Sequence, residues 1–235
     1  MSNLARVFLN NCADFIQTIF GADCLLCGAY SGPENLCSDC LEHLPYLPEK
    51  RCRICSNPSN GPVCGICLSR PPRYSRTLAV LSYEFPVDAL MQSLKYQGNI
   101  ALAATFANLL VEASKRIERP DFIVPVPLHP ARLKERGFNQ AMEIGRIVSK
   151  KTGIELAECR KTRDTPSQTA LPLKEREKNV RNAFACDLEF DSSHVAILDD
   201  VMTTGSTVNE LARMLLERSA GDVSVWTVAR AIKSV

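Results

Sequence analysis

Two groups of residues in this chain have the types and spacing that chemistry requires. The first lies in residues 195–210, VAILDDVMTTGSTVNE, where adjacent Asp199 and Asp200 run straight into a hydroxyl-rich turn around Gly205. At the start of a helix such a turn presents successive backbone N–H groups, which favour an anion such as a phosphate. Gly205 allows close backbone approach, and Thr203, Thr204, Ser206 and Thr207 add hydroxyl donors. Two carboxylates would repel that same phosphate, so they must address another part of the ligand. A sugar diol, which donates two hydrogen bonds, fits them, with a divalent cation assisting. The implied ligand is a ribose bearing a 5′-phosphate. The simpler alternative is that the hydroxyls only cap the helix, but capping needs one such residue, not four beside a diacid. Neither the Walker A spacing nor G-x-G-x-x-G occurs.

The second group is the cysteines. Nine of the eleven fall within the first 67 residues, and eight of them form C-x-x-C pairs: Cys24/Cys27, Cys37/Cys40, Cys52/Cys55 and Cys64/Cys67. Two intervening residues let both thiolates curl onto one ion, and two such pairs complete a closed, structural tetrahedral site. Cys24 and Cys52 are 28 residues apart, as are Cys27 and Cys55; Cys37/Cys64 and Cys40/Cys67 are each 27 apart. This reads as two copies of one unit, each with its own four ligands, hence two structural Zn2+ sites in tandem. A cross-braced pairing and an iron–sulfur cluster are the competing readings. So short a segment buries little apolar surface, so metal binding would supply its folding energy. Cys12, Cys159 and Cys186 stand apart and read as small buried apolar residues.

Elements must position these groups. Strand-like RTLAVLSY, DFIVPVPL, HVAILDD and DVSVWTVARA alternate with helix-like PVDALMQSLKY, ALAATFANLLVEASKRI, NQAMEIGRIVSKKTG and STVNELARMLLERSAG. Gly153 would stop the third helix and Gly221 the fourth. Alternation of this kind predicts an α/β fold, a mostly parallel sheet with helices on both faces, whose ligands bind at the carboxyl ends of the strands. Leu4, Phe8, Cys12, Phe15, Ile16 and Ile19 recur at helical spacing, predicting an amphipathic helix over 1–20. A cysteine-rich module over 21–70 follows, then the α/β domain over 73–235, with Pro71-Pro72 as linker. No apolar run has the length of a membrane span. The N-terminal stretch lacks a signal-peptide pattern, so a cytoplasmic location is expected, where clustered cysteines bind metal rather than form disulfides. A net charge of +2 does not by itself call for nucleic acid. Arg51, Arg53, Arg70, Arg73 and Arg76 flank the second cysteine copy, but few aromatics accompany them, a thin platform for stacking a single strand.

VAILDDVMTTGST resembles the phosphoribosyl diphosphate (PRPP) signature of type I phosphoribosyltransferases. DFIVPVPLHPARLKERGFNQAMEIGR and TPSQTALPLKEREKNVRNAF resemble, more narrowly, the ComF/ComFC/GntX family, linked to natural transformation and use of DNA, as does an N-terminal double zinc ribbon. The likeness runs from about Cys24 onward. It implies a type I phosphoribosyltransferase-like sheet in which Asp199 and Asp200, the catalytic pair, bond the ribose 2′ and 3′ hydroxyls. Val201, Met202, Thr203, Thr204, Gly205, Ser206 and Thr207 would line the 5′-phosphate loop. His129, Arg132 and Arg136 would take the diphosphate, with Mg2+ bridging the ligand, and a flexible loop carrying Arg163 and Gln168 would close over it to exclude water. Beside these stand plainer readings: His129 shapes a turn before Pro130, the two arginines are a solvated face, and the loop is an ordinary surface loop.

Two functions fit these residues. One is a PRPP-binding protein that handles incoming single-stranded DNA through contacts with DNA and with uptake proteins such as a helicase. The other is a working transferase that displaces diphosphate from the ribose C1 with an unidentified acceptor, the ribbons serving as scaffold.

Overall fold

The structure, a computed structural model, describes residues 23–32, 35–163 and 180–232. The expected helix over 1–20, Cys12 and Gln168 lie outside the described residues. Seven strands and seven helices are found among the described residues. Two short helices, α1 (Ser38–Glu42) and α2 (Gly65–Ser69), belong to the cysteine-rich region. The rest runs β1 (Arg76–Ser82), α3 (Val87–Tyr96), α4 (Ala101–Ser114), β2 (Phe122–Pro125), α5 (Pro130–Arg136), α6 (Gln140–Thr152), β3 (Glu155–Leu156), β4 (Arg160–Lys161), β5 (Phe184–Ala185), β6 (His194–Met202), α7 (Ser206–Glu217) and β7 (Asp222–Arg230). The expected fold class is the one observed.

Five strands form one sheet in the order β1-β7-β6-β2-β3, and every pair is parallel. A sheet buried on both faces needs apolar side chains on both, which is why Val195, Ala196, Ile197 and Leu198 are consecutive and all fully buried. The chain leaves β6 in one direction, through α7 to β7, and leaves β2 in the other, through α6 to β3. Right-handed crossovers then place α7 on one face and α3, α4 and α6 on the opposite face. The packing agrees: α4 lies against α6, β1 and β7, whereas α7 lies against β5, β6 and β7. The path reverses between the carboxyl ends of β6 and β2. That reversal opens the crevice where ligands bind in sheets of this kind.

Local sequence explains most element ends. Asn139 caps α6 by accepting from Ala141 N (3.1 Å), and Gly153 ends it in the left-handed conformation at φ 68°. Helix α7 stops at Glu217, four residues before the expected Gly221. Gly221 serves packing instead: an added Cβ would lie 2.2 Å from the Ser192 carbonyl oxygen.

Both cysteine copies dock on the sheet domain. Asn35 of the first donates to Ala101 O (2.9 Å) at the start of α4. Residues 45–47 run antiparallel along the outer edge of β1, with Leu47 N donating to Val80 O (3.0 Å) and Ser82 N to Pro45 O (2.7 Å). The second copy holds the other end of the same edge, where Thr77 N donates to Arg53 O (3.1 Å) and Thr77 Oγ1 to Ile54 O (2.6 Å). No helix among the described residues is long and apolar enough to cross a membrane.

Candidate functional site

Asp199 and Asp200 lie within β6, directly after its fully buried run of residues 195–198, at the point where the sheet path reverses. The backbone N–H of Asp200 donates to Asp199 Oδ1 (3.0 Å). Lys95, in the last turn of α3, places its Nζ 2.5 Å from Asp200 Oδ2, and both side chains are largely buried. Burial and the neighbouring Asp200 charge push the Asp199 carboxyl well above the usual carboxylate range. Burial opposes ionisation of Asp200 as well, but the Lys95 ammonium outweighs it and holds Asp200 below its ordinary value. The two carboxyls are thus pushed apart, Asp199 toward its protonated form and Asp200 toward the charged form that pairs with lysine.

The turn after the diacid is built around Gly205, the N-cap of α7, at φ 82°. An L side chain is disfavoured there, and a Cβ would also meet Met202 Cε at 3.0 Å and Tyr74 Oη at 3.1 Å. Thr204 Oγ1 accepts from Ser206 N (3.3 Å) and lies 2.9 Å from Ser206 Oγ. The N-cap is thus a glycine without a side-chain cap, and two of the four hydroxyls pair with each other across the turn. A cavity of about 380 Å³ opens beside this turn, lined by Cys67, Arg70, Tyr74, Thr204, Gly205 and Arg230 among others.

The remaining expected residues lie at α5 and just after β4. His129 caps α5, its Nδ1 accepting from Ala131 N at 3.3 Å, the turn-shaping geometry. Arg136, at the other end of α5, lies 5.4 Å from the centroid of the Tyr96 ring and donates to Gln140 Oε1 (3.4 Å). Tyr96 follows Lys95 in α3, so Arg136 reaches the helix end that serves the diacid. Arg132 lies one turn earlier in α5 and is partly exposed. Arg163 donates to Arg181 O (2.9 Å) beside the antiparallel β4–β5 pair. Asn139 pins the stretch after β2 by donating to Val126 O (3.0 Å).

Three residues that sequence reading passed over belong to the site: Lys95, Tyr74 and Arg230. Arg230 ends β7 and is only 3% exposed. Its Nε donates to Cys55 O (2.8 Å), and its Nη1 donates to Met202 O (2.9 Å), Thr203 O and Ala231 O (2.7 Å). For Lys95 a signal existed, a lysine following the fully buried Leu94 at the end of an apolar helix face.

The cysteines form two clusters, Cys24, Cys27, Cys37 and Cys40 in one and Cys52, Cys55, Cys64 and Cys67 in the other, the sulfurs of each within 4.8 Å of one another. This is the tandem pairing, not the cross-braced one. Cys27 and Cys37 sulfurs are 3.7 Å apart and those of Cys55 and Cys64 3.6 Å. A tetrahedron with Zn–S arms of about 2.3 Å has edges of about 3.8 Å, so both sets fit Zn2+. The repeat extends to the backbone. Gly28 N donates to Cys24 O (2.9 Å) and Ser56 N to Cys52 O (2.8 Å), both residues at positive φ. Cys37 and Cys64 each cap a short helix. Cys159 and Cys186 are buried, as expected.

These features define a class: a double zinc ribbon docked on a parallel α/β sheet, with a diacid and hydroxyl turn at the switch point. Comparison with known proteins agrees. Residues 15–68 match the double zinc ribbon domain family. DNA utilization protein YhgH of Salmonella typhimurium is 35% identical over 191 residues, covering 77% of this chain and 84% of that protein. Competence protein F of Haemophilus influenzae is 30% identical over 231 residues, covering 92% of this chain and all of the relative. The chain belongs to the family of competence protein F, ComFC and the DNA utilization proteins. Adenine phosphoribosyltransferase from Leishmania tarentolae aligns at a TM-score of 0.40 and 15% identity, over 68% of this chain and 78% of that one, a likeness too loose to bear on the site.

Proposed function

We propose that this chain binds PRPP at the β6–α7 turn and acts in the handling of single-stranded DNA during natural transformation. The observation that carries the ligand reading is the placement of one structure, diacid followed by hydroxyl turn and helix N-terminus, at the sheet's switch point. Asp200, ionised and held by Lys95 through one oxygen, has further acceptor capacity for a ribose hydroxyl. Burial shifts Asp199 toward the protonated form, in which a carboxyl donates as well as accepts. The turn offers backbone and hydroxyl donors to the 5′-phosphate. Arg132 and Arg136 supply guanidinium forks suited to diphosphate oxygens, and Mg2+ would accompany the diphosphate. The DNA half of the proposal rests on what the relatives are named for, competence and DNA utilization.

A second reading, a working phosphoribosyltransferase, is favoured by the completeness of the diacid and turn. The chain's own part would be to position PRPP and to stabilise charge as diphosphate leaves. Calorimetric titration with PRPP and magnesium, followed by diphosphate release with and without single-stranded DNA or nucleobases, separates the two. Binding without release supports the ligand-controlled DNA protein, and acceptor-dependent release supports the transferase. Asp200→Ala is expected to abolish PRPP binding and to leave zinc content unchanged. Wild-type affinity in that variant would remove the diol assignment.

A further inference from the structure

The two ribbons repeat one cysteine pattern, yet they are not equivalent in place. The first meets the sheet domain at the start of α4, on the face opposite α7, and none of its cysteines lines the cavity beside the β6–α7 turn. The second forms a wall of the cavity beside that turn. Three contacts join it to the turn. Arg230 bonds Cys55 on the ribbon side and Met202 and Thr203 on the turn side with one guanidinium. Arg73 N, in the segment leaving the ribbon, donates to Asn209 Oδ1 (2.7 Å) in the first turn of α7. Tyr74, from the same segment, is 5% exposed and sits against Gly205.

Arg230 is unusual in what it bonds. All its acceptors are backbone carbonyls, and among the described residues it makes no ion pair with a carboxylate. A buried cation needs a compensating anion. Four thiolates around one Zn2+ carry a net charge of about −2, and the Cys52–Cys67 cluster is the anionic group nearest to hand, through Cys55. A planar guanidinium can reach carbonyls in several directions while remaining charged, which an ammonium cannot match.

We infer that Arg230 is a positioning residue that ties the second ribbon to the phosphate-binding turn, so that the turn keeps its shape only while the second cysteine cluster holds its metal; the first cluster has no such part. The ligand half of this inference rests on the PRPP reading above. The coupling half does not, because it concerns the geometry of residues 202–207 with or without ligand.

The test compares Cys67→Ser, which removes a ligand of the second cluster, with Cys40→Ser, which removes one from the first, and with Arg230→Lys. Amide hydrogen exchange is followed over residues 202–207, with β2 as internal reference, and zinc content and PRPP–magnesium affinity are measured on the same samples. Lost charge-assisted bonds should speed exchange of the turn by about tenfold in Cys67→Ser and Arg230→Lys, with β2 unchanged. PRPP affinity should fall by about tenfold in the same two variants. Cys40→Ser should stay within about twofold of wild type in both readouts. Arg230→Lys that retains two zinc ions while its turn loses protection would separate positioning from folding of the ribbon. Equal turn exchange in Cys67→Ser and Cys40→Ser, or wild-type protection in Arg230→Lys, overturns the inference. A wild-type protein that fails to bind PRPP sinks the PRPP reading alone, and the exchange comparison still decides the coupling.

Discussion

Replacing Lys95 with methionine isolates the electrostatics of the diacid. The substitution keeps the side chain's apolar stem and removes the ammonium that sits 2.5 Å from Asp200 Oδ2. At that separation and an effective dielectric of about 20, the gross attraction is about 7 kcal/mol, much of it offset by desolvation. The net loss has a ceiling set by titration, because Asp200 can always take a proton. Forcing a carboxyl with an ordinary pKa of about 3.9 to be protonated at pH 7 costs about 4 kcal/mol, at about 1.4 kcal/mol per pH unit. We expect Lys95→Met to lose about 3–4 kcal/mol at pH 7 and about 1.5 kcal/mol at pH 5. The sign follows from two directions. In the wild type Asp200 is held below its ordinary value, so its contribution is present above about pH 3.9 and lost as pH falls. In the variant the buried carboxyl is raised, so its contribution is lost as pH rises. Both widen the gap toward neutrality. Trp226 is the single tryptophan, fully buried on β7 and paired in register with Leu198, so its fluorescence in a urea titration reports the sheet around the diacid. Equal midpoints at pH 7, or a gap that fails to narrow by pH 4.5, would refute the charge distribution assigned to the pair.

Other substitutions probe single features. Gly205→Ala imposes a left-handed alanine and crowds Met202 and Tyr74; it should destabilise by about 1–2 kcal/mol and weaken PRPP binding by calorimetry. Gly221→Ala drives a Cβ into the Ser192 backbone; a loss of about 1–3 kcal/mol, read as a Tm lowered by roughly 2–4 °C per kcal/mol, is expected, and an unchanged Tm would show that the backbone there moves freely. Elemental analysis should return two zinc ions per chain and one for Cys40→Ser; a value of one in the wild type would contradict the two complete cysteine sets.

The parts of this molecule legible in its sequence are those with local causes. Four cysteine pairs, the later two offset from the earlier two by 28 and 27 residues, show the two clusters, because ligand geometry is set within a few residues. The apolar run of residues 195–198 shows a strand buried on both faces. Asp199–Thr207 stand out because a turn into a helix has chemistry of its own. Arg230 was not legible and the position of Lys95 hinted at no partner, since each acts across the fold, on a residue 175 and 105 positions away respectively. No local pattern marks an arginine that ends a strand as the link to a ribbon near the other end of the chain. The two-residue strands β3, β4 and β5 are too short for periodicity to register. The end of α7 moved because Ser219, not a glycine, takes the left-handed cap position at φ 62°, with Ser219 N donating to Leu216 O (3.2 Å) and Ala220 N to Leu215 O (3.1 Å).

The segment 45–47 along β1 has a consequence for how this protein fails. A parallel sheet leaves its outermost strands with unpaired N–H and C=O groups, a template for other chains. Here the β1 edge is occupied from both ends by the protein's own backbone: residues 45–47 are strung between Cys40 and Cys52, one in each cluster, and Arg53 and Ile54 lie between two cysteines of the second. Stripping metal therefore does more than slacken a small appendage: it uncovers a hydrogen-bonding edge of the main sheet. Chelator-treated protein should scatter light by self-association while far-ultraviolet circular dichroism still shows its helices, so the ribbons act as guards of solubility as well as of shape.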